Sequence, residues 1–438
     1  MTRYLPSDDV QRVVLHDEIH TRPSATFKLP ALIVYVAVLN KGVDHGAEWA
    51  HLQKLPSTLD LKPESMKGNF LQLPCGDYKV IWERHTEFTR YTIVQPLPEH
   101  ARWGSQLPEL APHVATGPEW LRDIPGQTIT AIHLAMLNEG MDDPDAFYKA
   151  RQWLGEGTVI GAKMGRTSDH QSHSHLMTTL RIGADGFERM LILASPDTSE
   201  NRSGRIAQRL LELETYRMMS LLSLPLAKTL AAQLTQSELQ LVDINDRLER
   251  KTDKDEVLLD HLAGLAAQVE STTAENSFRF SAARAYDAIV QQRIAEMREQ
   301  PLSGIQTVGE FMQRRLAPAM ATVNATSDRL SALAERVARA SHLLRTRVDI
   351  ATETHNQQLL EQLTKGQATQ LRLQTTVEGL SIAAISYYVV SLTFYIGKAL
   401  EAYGVKISTE MLAGFSTPIV LFVCWRMVQK IHRSLQNV

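Results

Sequence analysis

The period of apolar and polar residues changes along this chain near Ser195. Before it, short runs, several of them alternating with period two, predict strands at 31–39, 78–84, 88–94, 128–136, 158–163, 176–182 and 187–193. The run ALIVYVAVL at 31–39 is too short to cross a bilayer and rich in β-branched residues, so it reads as a core strand. GADG at 183–186 predicts a tight hairpin turn. A helix fits 144–154, where Pro144 suits the first turn.

After Ser195 the strand signal nearly vanishes. The stretch 204–234 has helical spacing, with a bend expected at Pro225. Proline-free stretches at 226–300 and 319–417 predict long helices, with breaks expected at Gly264 and at the polar KTDKDE, 251–256. Leu330, Leu333, Val337, Ala340, Leu344, Arg347 and Ala351 recur at alternating spacings of three and four, mostly a coiled-coil seam. A continuous helix over 319–378 would be on the order of 90 Å long. Two shorter helices packed in a bundle fit the same pattern.

Two apolar runs lie near the C-terminus. GLSIAAISYYVVSLTFYIG, 379–397, carries no charge and matches the length of a membrane-crossing helix. MLAGFSTPIVLFVCWRMV, 411–428, is a second span whose Arg426 can reach the headgroups. Lys365 and Arg372 precede the first, and Lys430 and Arg433 follow the second. That bias predicts both termini in the cytoplasm and a multi-pass inner-membrane protein with two spans. The first residues have no apolar signal-peptide core, which agrees with a cytoplasmic N-terminal part. The expected fold is thus an α+β cytoplasmic domain (1–195), a helical stalk (196–378), a transmembrane hairpin (379–428) and a short cytoplasmic tail (429–438).

Composition narrows the partners. With 46 basic and 49 acidic residues the formal net charge is -3, which offers no electrostatic footprint for nucleic acid. Two cysteines, Cys75 and Cys424, make neither a disulfide framework nor a thiolate metal site. The expected partners are the lipid bilayer and further copies of the chain.

Candidate chemistry comes in four groups. HDEIH at 16–20 looks like a zinc-protease helix, but that motif needs glutamate directly after the first histidine, and Asp17 stands there. Pro23 also disfavours helix just beyond. Glu18, His20 and Arg22 remain, as a polar network pinning the N-terminal arm or as a small anion site. DHQSHSH, 169–175, gathers His170, His173 and His175, a composition able to hold a divalent metal ion, although such loops are usually just solvated. The charges of WERHTEF, 82–88, fit a hairpin end with cross-strand ion pairs better than an acid/base site. Arg205, Arg209, Glu212, Glu214 and Arg217 fit a solvated or inter-helix face. No phosphate-cradling glycine loop and no nucleophile turn occurs.

The blocks EIHTRP (18–23), WERHTEF (82–88), PGQ (125–127), QRLLELETYRMM (208–219), FMQRRLAPAM (311–320), LLRTRVDI (343–350) and LQTTVEGLSIAAISYYVV (373–390) carry a resemblance along nearly the whole chain. On them the sequence resembles bacterial domain-of-unknown-function family 3422. That resemblance implies a membrane protein of this length and no particular activity. The layout is also similar to that of CorA-type magnesium channels, which form pentamers with the first span lining the pore. In that reading Ser381, Ser386, Tyr387, Ser391 and Tyr395 are the pore-lining candidates. The departure is at the end of the first span. The Gly-Met-Asn signature of those channels is absent, and YIGKAL at 395–400 puts Lys398 near the outer mouth instead.

Three functions follow in order: an oligomeric inner-membrane channel or transporter with a regulatory cytoplasmic domain; a membrane-tethered scaffold or sensor without transport; and a membrane-anchored metal-dependent enzyme. Nothing in the motifs favours the enzyme.

Overall fold

The computed structural model describes residues 9–12, 15–16, 25–57, 68–139, 141, 145–165, 174–402, 404 and 408–435. Two compact units divide the chain: Met1–Thr252 with Asp260–Arg339, and Asp253–Leu259 with Ala340–Val438.

The first unit is built on β1 (Ala31–Leu39), β2 (Phe70–Cys75), β3 (Tyr78–Arg84), β4 (Phe88–Pro96), β5 (Gln127–Leu137), β6 (Ile160–Met164), β7 (Ser174–Ile182), β8 (Glu188–Leu193) and β9 (Glu299–Pro301). They form one sheet in the order β2-β3-β4-β1-β5-β8-β7-β6-β9. Pairing is antiparallel throughout except between β5 and β8. The hairpin turn expected at 183–186 joins β7 to β8, closed by the Gly183 N–H on the Phe187 carbonyl at 2.9 Å.

β1 lies mid-sheet and is buried on both faces, as its nearly unbroken apolar run requires. Its even residues, Leu32, Val34, Val36 and Val38, join Trp82, Tyr91, Trp120 and Trp153 in the main core. The helices α1 (His45–Leu52), α2 (Pro118–Arg122) and α3 (Ala146–Leu154) each bury residues in it. Its odd residues face α4 (Glu200–Leu221), where Tyr35 bonds Thr215.

Strands β2 and β9 escape the period-two reading. Both are sheet edges, and each holds a proline, Pro74 or Pro301, which an edge tolerates and a sequence pattern penalises.

The helices are longer than the local breakers suggest. α4 ends at Leu221 and α5 (Ser223–Arg250) follows, so the break precedes Pro225 by about one turn. Pro225 is the third residue of α5, where a helix has no use for the missing N–H. Residue Lys251, left-handed at φ 53, closes α5 within the KTDKDE stretch. Gly264 makes no break and lies inside α6 (Asp255–Met297).

α7 runs continuously over Val308–Ala402 with Pro318 inside it. It begins earlier than expected because Thr307 and Glu310 cap each other. The Glu310 N–H donates to Thr307 Oγ1, and the Thr307 N–H donates to Glu310 Oε2, both at 3.1 Å. In the first unit Leu330, Leu333 and Val337 of the apolar seam are buried within the chain. There Arg329 donates to Glu238 of α5 at 2.7 Å, and Arg284 of α6 donates to Ser327 at 3.0 Å. That part of the seam is packed as a helical bundle.

In the second unit Leu344 is buried and Arg347 pairs with Asp255 at 2.8 Å. Every residue from 349 to 377 is exposed. The end of α7 and α8 (Thr409–Leu435) each contain an 18-residue window of mean hydropathy 1.6. Both are long and apolar enough to cross a membrane.

One glycine holds the N-terminal arm against α4. Gly204 is buried, and a Cβ there would collide with the Ala25 carbonyl, backbone against backbone. Gly204→Ala should cost about 3 kcal/mol, the upper end of overpacking effects, because neither partner can rotate away. The midpoint of chemical unfolding followed by tryptophan fluorescence reads this out; an unchanged midpoint would show that the arm is not docked there.

Candidate functional site

Two sequence blocks set far apart in the chain meet on one face of the sheet. QRLLELETYRMM forms the middle of α4, and WERHTEF spans the end of β3 and the start of β4. Alternation along the strands sends Glu83, Arg90 and Thr92 toward a small cavity lined also by Gln208 and Leu211 of α4.

Glu83 and Arg90 are directly opposed in the β3–β4 register and ion-paired. The expected cross-strand pair is therefore present, and it is only the inner end of a longer chain of charges. Arg90 Nη1 lies 3.5 Å from Glu212 of α4. Arg293 of α6 donates to the other oxygen of Glu212 at 2.7 Å and to Glu296 at 2.9 Å. Arg209 approaches Glu296 at 3.4 Å. Acid and base alternate from Glu83 through Arg90, Glu212, Arg293 and Glu296 to Arg209, so each charge has an opposite neighbour. The inner members are buried and Arg209 is partly exposed.

Tyr35 belongs to the same face. Thr215 donates its one hydroxyl hydrogen to the Leu211 carbonyl at 2.7 Å, so Tyr35 is the donor in its 2.6 Å bond to Thr215. Burial pushes the Tyr35 phenol well above its ordinary range, which keeps that donor protonated.

One turn along α4 lies a second cluster. Glu214 is fully buried and holds Arg217, whose Nε donates to it at 2.8 Å. Glu188 of β8 lies 3.5 Å from Arg217 and shares a hydrogen bond with Glu214. Two acids here face one base. Burial, and then the Glu214 charge, push the Glu188 carboxyl up to about 9, so it carries the proton at neutral pH. Reading the α4 charges as a solvated or inter-helix face therefore holds for Glu212 toward α6 but not for Glu214, which faces β8.

Glu87 ends the strand pair. Arg279 ion-pairs with it and Tyr286 donates to it at 2.7 Å, tying α6 to the β3–β4 turn. Tyr216 stacks on Tyr286 and meets Phe88 edge-on. On the opposite face of the sheet Arg84 pairs with the buried Glu48 of α1 at 2.7 Å. His133 of β5 is fully buried and stacked on Phe187 with centroids 3.9 Å apart. Its pKa falls to about 4, chiefly by burial, so the ring is neutral.

The residues singled out from sequence are distributed differently. Glu18, His20, Arg22, His170 and His173 lie outside the described residues. His175 is on β7, half-buried, opposite Lys163 and Leu193. Among the described residues no group of three or more His, Cys, Asp or Glu is placed to hold a metal ion. Ser381, Tyr387 and Tyr395 are exposed on α7, and Ser391 is half-buried. Ser386 is buried with its hydroxyl unpartnered. It lies on the face of α7 that also carries Gly397, where a Cβ would press against the Thr409 side chain of α8 at 3.0 Å.

Fold and site together define a class: an α/β domain with a buried ion network against a long helix, followed by long helices and two candidate membrane spans. The chain belongs to the family of proteins of unknown function DUF3422, whose family model matches residues 7–435. No curated protein and no solved structure matches it.

Proposed function

We propose that this protein is an oligomeric inner-membrane channel or transporter, with two spans, both termini in the cytoplasm and the α/β domain as its regulatory part. The observation that carries this reading is a stripe on α7. Gln367, Gln370, Gln374, Val377, Ser381, Ala384, Tyr388, Ser391 and Tyr395 recur at alternating spacings of three and four. All are exposed except the half-buried Ser391, and none is charged.

Although Ser381 already donates to the Val377 carbonyl at 2.8 Å and the glutamines precede the span, the stripe facing lipid would put the hydroxyls of Tyr388, Ser391 and Tyr395 in hydrocarbon. Turned inward among several copies, it meets water or other polar groups. The α8-facing side of α7, with Ser386 and Gly397, is a different face, so the stripe is open to other copies. Upstream, Leu360 and Leu363 continue the same spacing and are exposed within one chain. A lone helix with apolar residues in water gains stability when those residues pack against neighbouring copies.

The test uses the full chain reconstituted in vesicles. A ring of identical subunits and solute flux are expected. Tyr388→Leu combined with Ser391→Leu should reduce flux to the level of empty vesicles while the ring persists. Val389→Ala, exposed about a third of a turn round α7 from the stripe, should leave flux intact. A monomer or dimer with no flux would instead identify the hairpin as the anchor of a scaffold or sensor.

A further inference from the structure

The outer end of the ion network opens into a cleft of about 600 Å³ bounded by the first turns of α4, the C-terminal turns of α6 and the end of β6. Arg202, Arg205 and Arg209 line it, spaced three and four apart on one side of α4. Arg298 lines it from the other side, in a left-handed conformation at φ 49 where the chain leaves α6 for β9. Four arginines thus face one acid, Glu296.

That acid is already engaged. Glu296 accepts from Arg293 at 2.9 Å and from Gln292 at 2.9 Å, besides its approach to Arg209. The side chains of Arg205 and Arg298 make no hydrogen bond or ion pair among the described residues. Arg205 and Arg298 thus bring two guanidinium charges to one concave space with no acid of their own among the described residues, an arrangement that favours an anion there.

We infer that this cleft binds a small organophosphate carrying at least two negative charges. Guanidinium forks match phosphate oxygens bidentately, and several forks around one space favour a multiply charged group. The volume is in the ordinary range of small-molecule sites, roughly 300–1,000 Å³. Met164, Ile206 and Met297 add apolar lining, which suits the organic part of such a ligand and offers nothing to free phosphate. A ligand phosphate that takes Arg209 competes with Glu296, and Glu296 leads through Arg293 and Glu212 to Arg90 on the sheet. Occupancy is therefore communicated to the interior of the domain. The site does not depend on whether the spans conduct.

The experiment is calorimetric titration of the full chain in uncharged detergent. The probes are ATP, pyrophosphate, inorganic phosphate, sulfate and a water-soluble short-chain phosphatidic acid. ATP or the short-chain lipid should bind at least about tenfold more tightly than sulfate or inorganic phosphate, and which of the two wins identifies the source as a nucleotide or a lipid headgroup. Arg205→Gln and Arg298→Gln should each weaken that binding by about tenfold, since each removes a charged hydrogen-bonding group. Neither side chain has a partner among the described residues, so the unfolding midpoint of each variant should match the parent. Three results would overturn the inference: no heat with any probe, equal affinity for sulfate and the organophosphates, or undiminished binding in the Arg205→Gln, Arg298→Gln double variant.

Discussion

Arg90→Met should destabilise the α/β domain by about 3–5 kcal/mol, the loss expected when one member of a buried ion pair is removed. Arg90 is 4% exposed and stands between Glu83 on the neighbouring strand and Glu212 on α4. Without it, Glu83 loses its ion-pair partner in the apolar space between sheet and helix. Glu212 keeps Arg293, so the damage concentrates at Glu83. A loss of that size is a large share of the roughly 5–15 kcal/mol that holds a typical domain folded. The double variant Glu83→Gln, Arg90→Met removes the orphaned charge and should recover more than half of the loss. Trp82, Trp120 and Trp153 lie in the opposite core and report unfolding by fluorescence. If the single and double variants unfold at the same denaturant concentration, the pair does not act as a unit.

Glu188→Gln tests the second cluster through its pH dependence. The Glu188 carboxyl is held up to about 9 in the folded chain and titrates near 4.5 when unfolded. Between those values the folded state keeps a proton that the unfolded state has lost. Stability therefore falls as pH rises from about 4.5 to about 9 and is then flat. Glutamine copies the protonated acid in shape and polarity and does not titrate. The variant should match the parent at low pH and exceed it at pH 8 by an amount on the order of a few kcal/mol. Glu214→Gln should move the same titration downward, because it removes the neighbouring negative charge that favours the protonated form. A pH profile of the unfolding midpoint that is the same for parent and Glu188→Gln would show that the carboxyl is ionised in the folded protein.

The two clusters and the arginine cleft lie along one helix, so α4 joins surface to sheet. Arg202 and Arg205 are in the first turns of α4, Arg209 and Glu212 follow, and Glu214, Thr215 and Arg217 reach the strands. A change at the cleft and a change in protonation at Glu188 act on the same rigid element. This gives the regulatory part of the proposed function a physical route within the domain.

Local repetition accounts for what could be read from the sequence. β1 was legible because its apolar run is nearly unbroken, and the β7–β8 turn because GADG has few other uses. The two candidate spans were legible because an 18-residue window of mean hydropathy 1.6 leaves little choice. The break near Pro225 was read a turn too late, because proline acts on the residues before it and is accommodated in a first helical turn. β2 and β9 were hidden by prolines that only an edge position excuses.

The sequence alone thus determined an α/β part followed by long helices, two apolar helices near the end, and a pair of charged blocks read separately, one as a hairpin end and one as a helix face. Only the tertiary structure decided that those blocks face each other across the sheet and α4. It also decided that Glu214 points at β8, that Glu188 shares its proton there, and that four arginines surround one cleft. The reason is one of range. Periodicity is written by neighbours a few residues apart and survives in any window of sequence, whereas the partner of a buried charge is chosen by which distant strand or helix the fold brings within about 3–4 Å.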